Sequence, residues 1–133
     1  MDKFLTPNSN FLRLVDDWEK YGSLCIGYDF DQTVYDYHNK GHSYSMVIQL
    51  LKDLKSIGCT LICWTAAKDM QFVEYYLNER DIPYDGINTK GISLPWDSPK
   101  PFFSAYLDDR AGLYQAYQEL DLLVWYIRKH HTS

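Results

Sequence analysis

Soft metal ligands are scarce in this chain: it has three cysteines and four histidines. Cys25, Cys59 and Cys63 are odd in number and sit inside apolar runs. They read as reduced, buried thiols and not as a disulfide framework. No cysteine pair has finger-like spacing and the histidines lie elsewhere, which argues against zinc. Long hydrophobic runs are also missing, and none approaches a bilayer span. The opening MDKFLTPNSN lacks the basic-then-apolar order of a secretion signal. The expectation is a soluble, cytoplasmic protein with no membrane partner. Low-complexity tracts, long charge runs and internal repeats are absent, which argues against disorder. Basic charge is in deficit, with a formal net charge of −5. That speaks against a broad phosphate-neutralising surface for nucleic acid. A single nucleic-acid end held at one site stays open but is not favoured.

What is present is core-forming material. The 133 residues are 46% hydrophobic and 17% aromatic, enough for one domain spanning 1–133. Residues 9–20 read as a helix, capped by Ser9, with Phe11, Leu14, Val15 and Trp18 at helical spacing and Gly22 beyond its end. SLCIGY (23–28) reads as a buried strand. Residues 34–43 would form a small flap. Residues 44–57 are the clearest helix, with Val47, Leu50, Leu51, Leu54 and Ile57 on one face, Ser43 or Ser45 as cap and Gly58 at the C-terminal position. CTLICW (59–64) is a continuous apolar run, as for a strand covered on both faces. A helix over 69–80 is capped by Asp69, and YDGIN (84–88) reads as a short strand. The proline-rich 89–101 is a loop, SAYLD (104–108) a further strand and 111–129 a long C-terminal helix. On that last helix Leu122, Trp125 and Tyr126 lie off the main stripe. They are expected to pack on the N-terminal helix, with a dimer patch as the alternative, so monomer and homodimer both stay open.

Strands alternating with helices predict an α/β fold: a three-layer, Rossmann-like parallel sheet with helices on both faces. Ligands of such folds bind outside the carboxyl ends of the strands. The polar residues collect there. Asp29, Asp31 and Thr33 follow the first strand, Thr65 follows the second, and Asp108 and Asp109 end the last. Lys100 lies in the loop leading to that last strand. Crowded carboxylates repel and need a cation. A hard oxygen site of this kind suits Mg²⁺ with a substrate phosphate, whose oxygens Thr65 and Lys100 would hold. An Asp beside the metal can attack phosphorus, and a second Asp two residues on can protonate the leaving group. Singly, each residue is ordinary: Asp in a turn, Thr as a helix cap, Lys in solvent. Their joint order makes them one site.

From residue 24 to residue 110 the sequence resembles a haloacid dehalogenase (HAD) superfamily phosphohydrolase of the short, capless type. The family's Asp-x-Asp-x-Thr is matched by Asp29, Asp31 and Thr33, its Thr or Ser by Thr65, its Lys by Lys100 and its acidic pair by Asp108 and Asp109. The resemblance implies a Mg²⁺-dependent phosphatase. Asp29 would be nucleophile and metal ligand. Asp31 would be general acid/base, with its backbone carbonyl on the metal. Thr65 and Lys100 would bind phosphate, Asp108 would complete the metal shell with Asp109 supporting it or the lysine, and Thr33 would brace the loop. Lys90 is a second candidate for the phosphate-binding lysine. Gln32 stands where the family often has glycine. No room exists for a cap domain, so the substrate would be a phosphorylated compound, a nucleotide or a phosphorylated end among them.

Tyr35, Tyr37 and Trp96 fall in loops predicted to flank the site, where they could stack on a base or sugar or simply cover a core edge. His38 and His42 lie in the flap, by default as surface histidines. Two rival functions use similar residues. A phospho-receiver domain places its acidic pair early, whereas here the pair comes last. A catalytically silent HAD-like binding module would have less reason to keep both Asp29 and Asp31.

Overall fold

Two short apolar runs, CIGY and TLIC, have no polar side to give to solvent, so both become interior strands of a parallel sheet. The computed structural model describes residues 2–91 and 100–131. Its elements run α1 (Ser9–Tyr21), β1 (Cys25–Tyr28), α2 (Ser45–Ser56), β2 (Thr60–Cys63), α3 (Met70–Glu79), β3 (Gly86–Ile87), β4 (Ala105–Leu107) and α4 (Leu113–His131), after a 3-10 turn at Lys3–Leu5. The four strands lie in the order β3-β2-β1-β4, all parallel. Ile26 stands opposite Leu61 on one side and Ala105 on the other.

The sheet is an α/β, Rossmann-like arrangement, but its helices are not shared between two faces. Alternation along the strands sends Ile26, Tyr28, Leu61, Cys63 and Leu107 to one side. These residues join one core with Leu14 of α1, Leu50 and Leu54 of α2, Val73 and Leu77 of α3, and Leu120 and Val124 of α4. Chain direction explains this. The steps β1 to β2 and β2 to β3 run the same way, so right-handed crossovers put α2 and α3 on one face. The connection from β3 to β4 runs the other way, and Gly91 and Phe103 at its ends lie against Cys25, Ile62 and Gly27 on the opposite face. Its described parts, 88–91 and 100–104, contain no helix. There Gly27 is required by a close approach: a Cβ at that position would lie 2.5 Å from the Phe103 ring. The expected second helical layer is therefore not found among the described residues.

The helix ends follow local chemistry, with two corrections. Ser9 and Ser45 are first helical residues, not caps. The cap positions are Asn8 and Tyr44, both left-handed (φ 64° and 54°) and without a side-chain capping bond. Asp69 does cap α3, accepting the Phe72 N–H at 3.1 Å. Gly58 (φ 94°) closes α2 in a Schellman motif, with Cys59 N–H on Leu54 O (3.1 Å) and Gly58 N–H on Lys55 O (3.0 Å). The C-terminal helix starts at Leu113, after left-handed Gly112, and not at 111. Tyr126 packs edge-on against Phe11 of α1 at 6.4 Å, as expected, while Leu122 and Trp125 are exposed. Arg13 of α1 donates to Ser104 O at 2.7 Å and so ties α1 to the entry of β4. No helix among the described residues is long and apolar enough to cross a membrane. All three cysteines are buried and free. Burial pushes their thiols up, to about 11 for Cys25 and about 12 for Cys59 and Cys63, so all stay neutral.

Candidate functional site

The carboxyl edge of the sheet opens into a cavity of about 700 Å³, within the range usual for ligand sites. Its walls come largely from the first three residues after each strand. Asp29 and Asp31 follow β1, Trp64 and Thr65 follow β2, Asn88 follows β3, and Asp108, Asp109 and Arg110 follow β4. Gln32, Tyr37 and His38 close one side.

The first acidic turn owes its shape to the residue between the two acids. Phe30 is buried and stacks on Tyr35 (5.0 Å), with Tyr76 edge-on at 5.5 Å. Pinning Phe30 in the core leaves its two neighbours, Asp29 and Asp31, at the cavity. Phe30 O then accepts the N–H groups of Val34 (3.1 Å) and Tyr35 (3.0 Å), folding the chain back. This turn puts Gln32 at φ 63°, a conformation that costs a non-glycine residue about 1 kcal/mol or more. A glycine would take this angle without that cost. Gln32 Oε1 accepts the Tyr44 hydroxyl at 3.2 Å, which secures the turn from the start of α2.

Charge is badly balanced at the edge. Oxygens of Asp29, Asp108 and Asp109 lie within 4.8 Å of one another, a group that could hold a metal ion. The Asp31 carboxylate is not part of that group, and the expectation for Asp31 was its backbone carbonyl; Asp109, expected as a support, joins Asp29 and Asp108 by side chain. Burial first, and then the like charges of Asp108, Asp109 and Asp31, push the Asp29 carboxyl up to about 6, against the opposing hydrogen bond from the Phe30 N–H. Asp31 is also raised, by burial and then by Asp109, with His38 working against it. Thr33 is fully buried, and its Oγ1 accepts the Asp109 N–H at 3.3 Å. Asp108 Oδ1 accepts the Arg110 N–H at 2.8 Å.

Other expected residues are placed differently. Thr65 lines the cavity, but neither Lys100 nor Lys90 is among the described residues that do. The basic side chains that line it are Arg110 and His38. Tyr37 is exposed on the cavity wall. Tyr35 is not on it, because its ring is spent on Phe30, Phe72 and Tyr76 in a core-edge cluster. Trp96 lies outside the described residues. The flap is anchored by Asp36, whose carboxylate accepts the N–H groups of Lys40 (3.1 Å), Gly41 (2.7 Å) and His42 (3.1 Å).

Sequence reasoning passed over Trp64, Asn88, Tyr106 and Arg110. Asn88 had a legible signal, a polar residue directly after a strand, by the same rule that found Thr65. Tyr106 needed the strand register, which sends it to the side opposite Leu107; its hydroxyl donates to Trp64 O at 3.1 Å, and both rings rest on Phe103.

No protein-family model matches the sequence, and no curated protein matches it. A solved structure, described as the structure of the conserved protein coded by a locus from Bacteroides thetaiotaomicron, is similar to this chain with a TM-score of 0.59. The match covers 83% of this chain and 93% of that one at 20% identity. Likeness at that identity shows the α/β fold and nothing of the chemistry.

Proposed function

We propose that the protein is a Mg²⁺-dependent phosphomonoester hydrolase of the haloacid dehalogenase type, working through an aspartyl-phosphate on Asp29. The observation that carries this reading is the convergence on one cavity of Asp29, Asp31, Thr65, Asp108 and Asp109 from the carboxyl ends of three strands. The donor set fits a hard cation, since three carboxylates crowd together. Asp29, Asp108 and Asp109 would hold the ion through side chains, with the Asp31 carbonyl beside them. Mg²⁺ there would neutralise the cluster and draw charge off the phosphoryl oxygens.

The chain's own residues supply the remaining chemistry. The Asp29 carboxylate attacks phosphorus, and the bond to the leaving oxygen breaks. Asp31, raised towards its protonated form, gives that oxygen its proton. Asp31 then takes a proton from the water that attacks the phosphorus, the bond to Asp29 breaks, and inorganic phosphate departs. The Thr65 hydroxyl and Arg110, both lining the cavity, would hold phosphoryl oxygens. Among the described residues the flap lies beside the cavity, an arrangement that would admit a nucleotide or another phosphorylated end, and exposed Tyr37 supports a leaving group with a planar ring.

The test is phosphate release from a panel of nucleotides, sugar phosphates, phosphopeptides and phosphate-ended oligonucleotides, with and without Mg²⁺. Wild type and Asp29→Asn are compared throughout. Metal-dependent release that the variant loses is the expected result. Release that survives in Asp29→Asn, or that ignores chelation, would sink the mechanism.

A further inference from the structure

We propose that Asn88 is a positioning residue that aims the Thr65 hydroxyl at the phosphoryl group, an inference that rests on the phosphatase reading. Asn88 follows β3 directly and stands at φ 54°. This left-handed turn brings its carboxamide back onto the loop after β2. Asn88 Oδ1 accepts the Thr65 N–H at 2.7 Å, and Asn88 Nδ2 donates to Thr65 O at 2.9 Å. A single side chain thus grips both backbone polar groups of a single residue. Asn88 is itself held, since its own N–H donates to Cys63 O at 2.8 Å as a continuation of the sheet.

An inventory of Thr65 shows what this leaves. Its N–H and its carbonyl are taken by Asn88. Its Oγ1 accepts the Ala67 N–H at 3.0 Å. What remains for a ligand is the hydroxyl proton, on a residue that lines the cavity. A hydroxyl that already accepts one bond and has its backbone fixed has little freedom left, so its proton is presented to a phosphoryl oxygen without reorganisation. The Asn88 carboxamide carries no charge and both its oxygen and its nitrogen are bonded to Thr65, not to Asp29, Asp108 or Asp109. Its loss should therefore separate phosphate binding from metal binding.

Asn88→Gly is the decisive variant, because glycine takes this backbone angle without strain and only the carboxamide is removed. Amide hydrogen exchange is read at Thr65 without any ligand. Inorganic phosphate is titrated by calorimetry with Mg²⁺ present, and Mg²⁺ is titrated alone. The expected results are exchange about tenfold faster at Thr65, phosphate binding about tenfold weaker and Mg²⁺ binding unchanged. Thr65→Val should lose phosphate affinity to the same extent, and the double variant should lose no more. Wild-type phosphate affinity in Asn88→Gly, or fully additive losses in the double variant, would overturn the positioning role. A wild-type chain that neither binds nor releases phosphate would overturn the phosphatase reading and the positioning role with it. The Thr65 exchange rate would then report Asn88 as a structural brace alone.

Discussion

Thr33 Oγ1 accepts the backbone N–H of Asp109 at 3.3 Å, joining the turn after β1 to the turn after β4. The two acidic loops are thereby locked to each other before any ligand arrives. Thr33 is fully buried, so its hydroxyl meets no water. Thr33→Val keeps the shape and removes the acceptor, leaving the Asp109 N–H without its partner. The expected loss is about 1–3 kcal/mol in urea unfolding. Mg²⁺ affinity should fall in the same variant, because Asp109 shares the carboxylate cluster. Unchanged unfolding and unchanged metal binding would show the two loops to be independent.

Asp29→Asn should act in opposite directions on activity and on stability. Phosphate release should drop on the order of 10³-fold or more, since the amide cannot form the acyl-phosphate. Without metal, however, the variant should be more stable than wild type at neutral pH. The Asp29 charge is disfavoured by burial and by Asp108, Asp109 and Asp31, and the amide removes it. After discounting for solvent screening at a half-buried group, the gain is about 1 kcal/mol. Calorimetric melting in EDTA checks it.

The strand positions and the acidic turns were legible in the sequence because their signals are local. Apolar runs as short as CIGY and TLIC leave no polar face, and an acid after such a run must lie at the sheet edge. Asp29, Asp31, Thr65 and Asp108 all followed from that rule. Layering was not legible, because it depends on where the connection from β3 to β4 crosses, and that segment carries no helical period. For a similar reason the sequence left Tyr35 open between the cavity and a core edge. An aromatic two residues from Thr33 looks the same in sequence whether its ring meets a ligand or Phe30, and the turn at left-handed Gln32 decides between them. Arg110 went unread because the acidic pair before it absorbed the interpretation.

The pH dependence of stability has a definite sign. Asp29 moves from an ordinary 3.8 to about 6 on folding. Well below 3.8 the carboxyl is protonated in both states and contributes nothing. As pH rises towards 6 the unfolded chain gives up this proton first, so the folded state holds more protons and loses stability through that window. Asp31 moves in the same direction. Without metal, the difference in unfolding free energy between Asp29→Asn and wild type should grow from pH 4 to pH 6.5 and then level off. Saturating Mg²⁺ should shrink or reverse it. A difference flat across this range would show that the Asp29 charge is already compensated.

The flap supports a further contrast. Asp36 holds three successive N–H groups, and those bonds hold its carboxyl below the ordinary range against the opposing effect of desolvation. Asp36→Ala should free residues 37–42 while leaving the core untouched. KM for an active substrate should rise several-fold, with little change in melting temperature, because Tyr37 and His38 would no longer be fixed at the cavity. Tyr35→Ala should do the reverse, costing about 2 kcal/mol or more through its lost packing on Phe30 and Tyr76. Equal effects of the two substitutions on KM and on stability would show that the flap and the aromatic cluster form one unit.

Gly27 links the covered face of the sheet to the cavity. A Cβ there would meet Phe103 Cδ2 and Cε2 at 2.5 Å, well inside van der Waals contact. Gly27→Ala should therefore cost about 1–3 kcal/mol through overpacking. Phe103 is also the ring on which Trp64 (5.9 Å) and Tyr106 (5.8 Å) rest, and both of those residues line the cavity. Displacing Phe103 should shift that wall, so the variant should lose substrate affinity although residue 27 touches no substrate. Phe103→Leu, combined with Gly27→Ala, relieves the clash and should recover part of the stability. It should not restore affinity, since the smaller side chain cannot carry both rings. Measuring unfolding free energy and KM for the two single variants and the double variant separates these contributions, and recovery of both quantities together would show that the wall does not depend on Phe103.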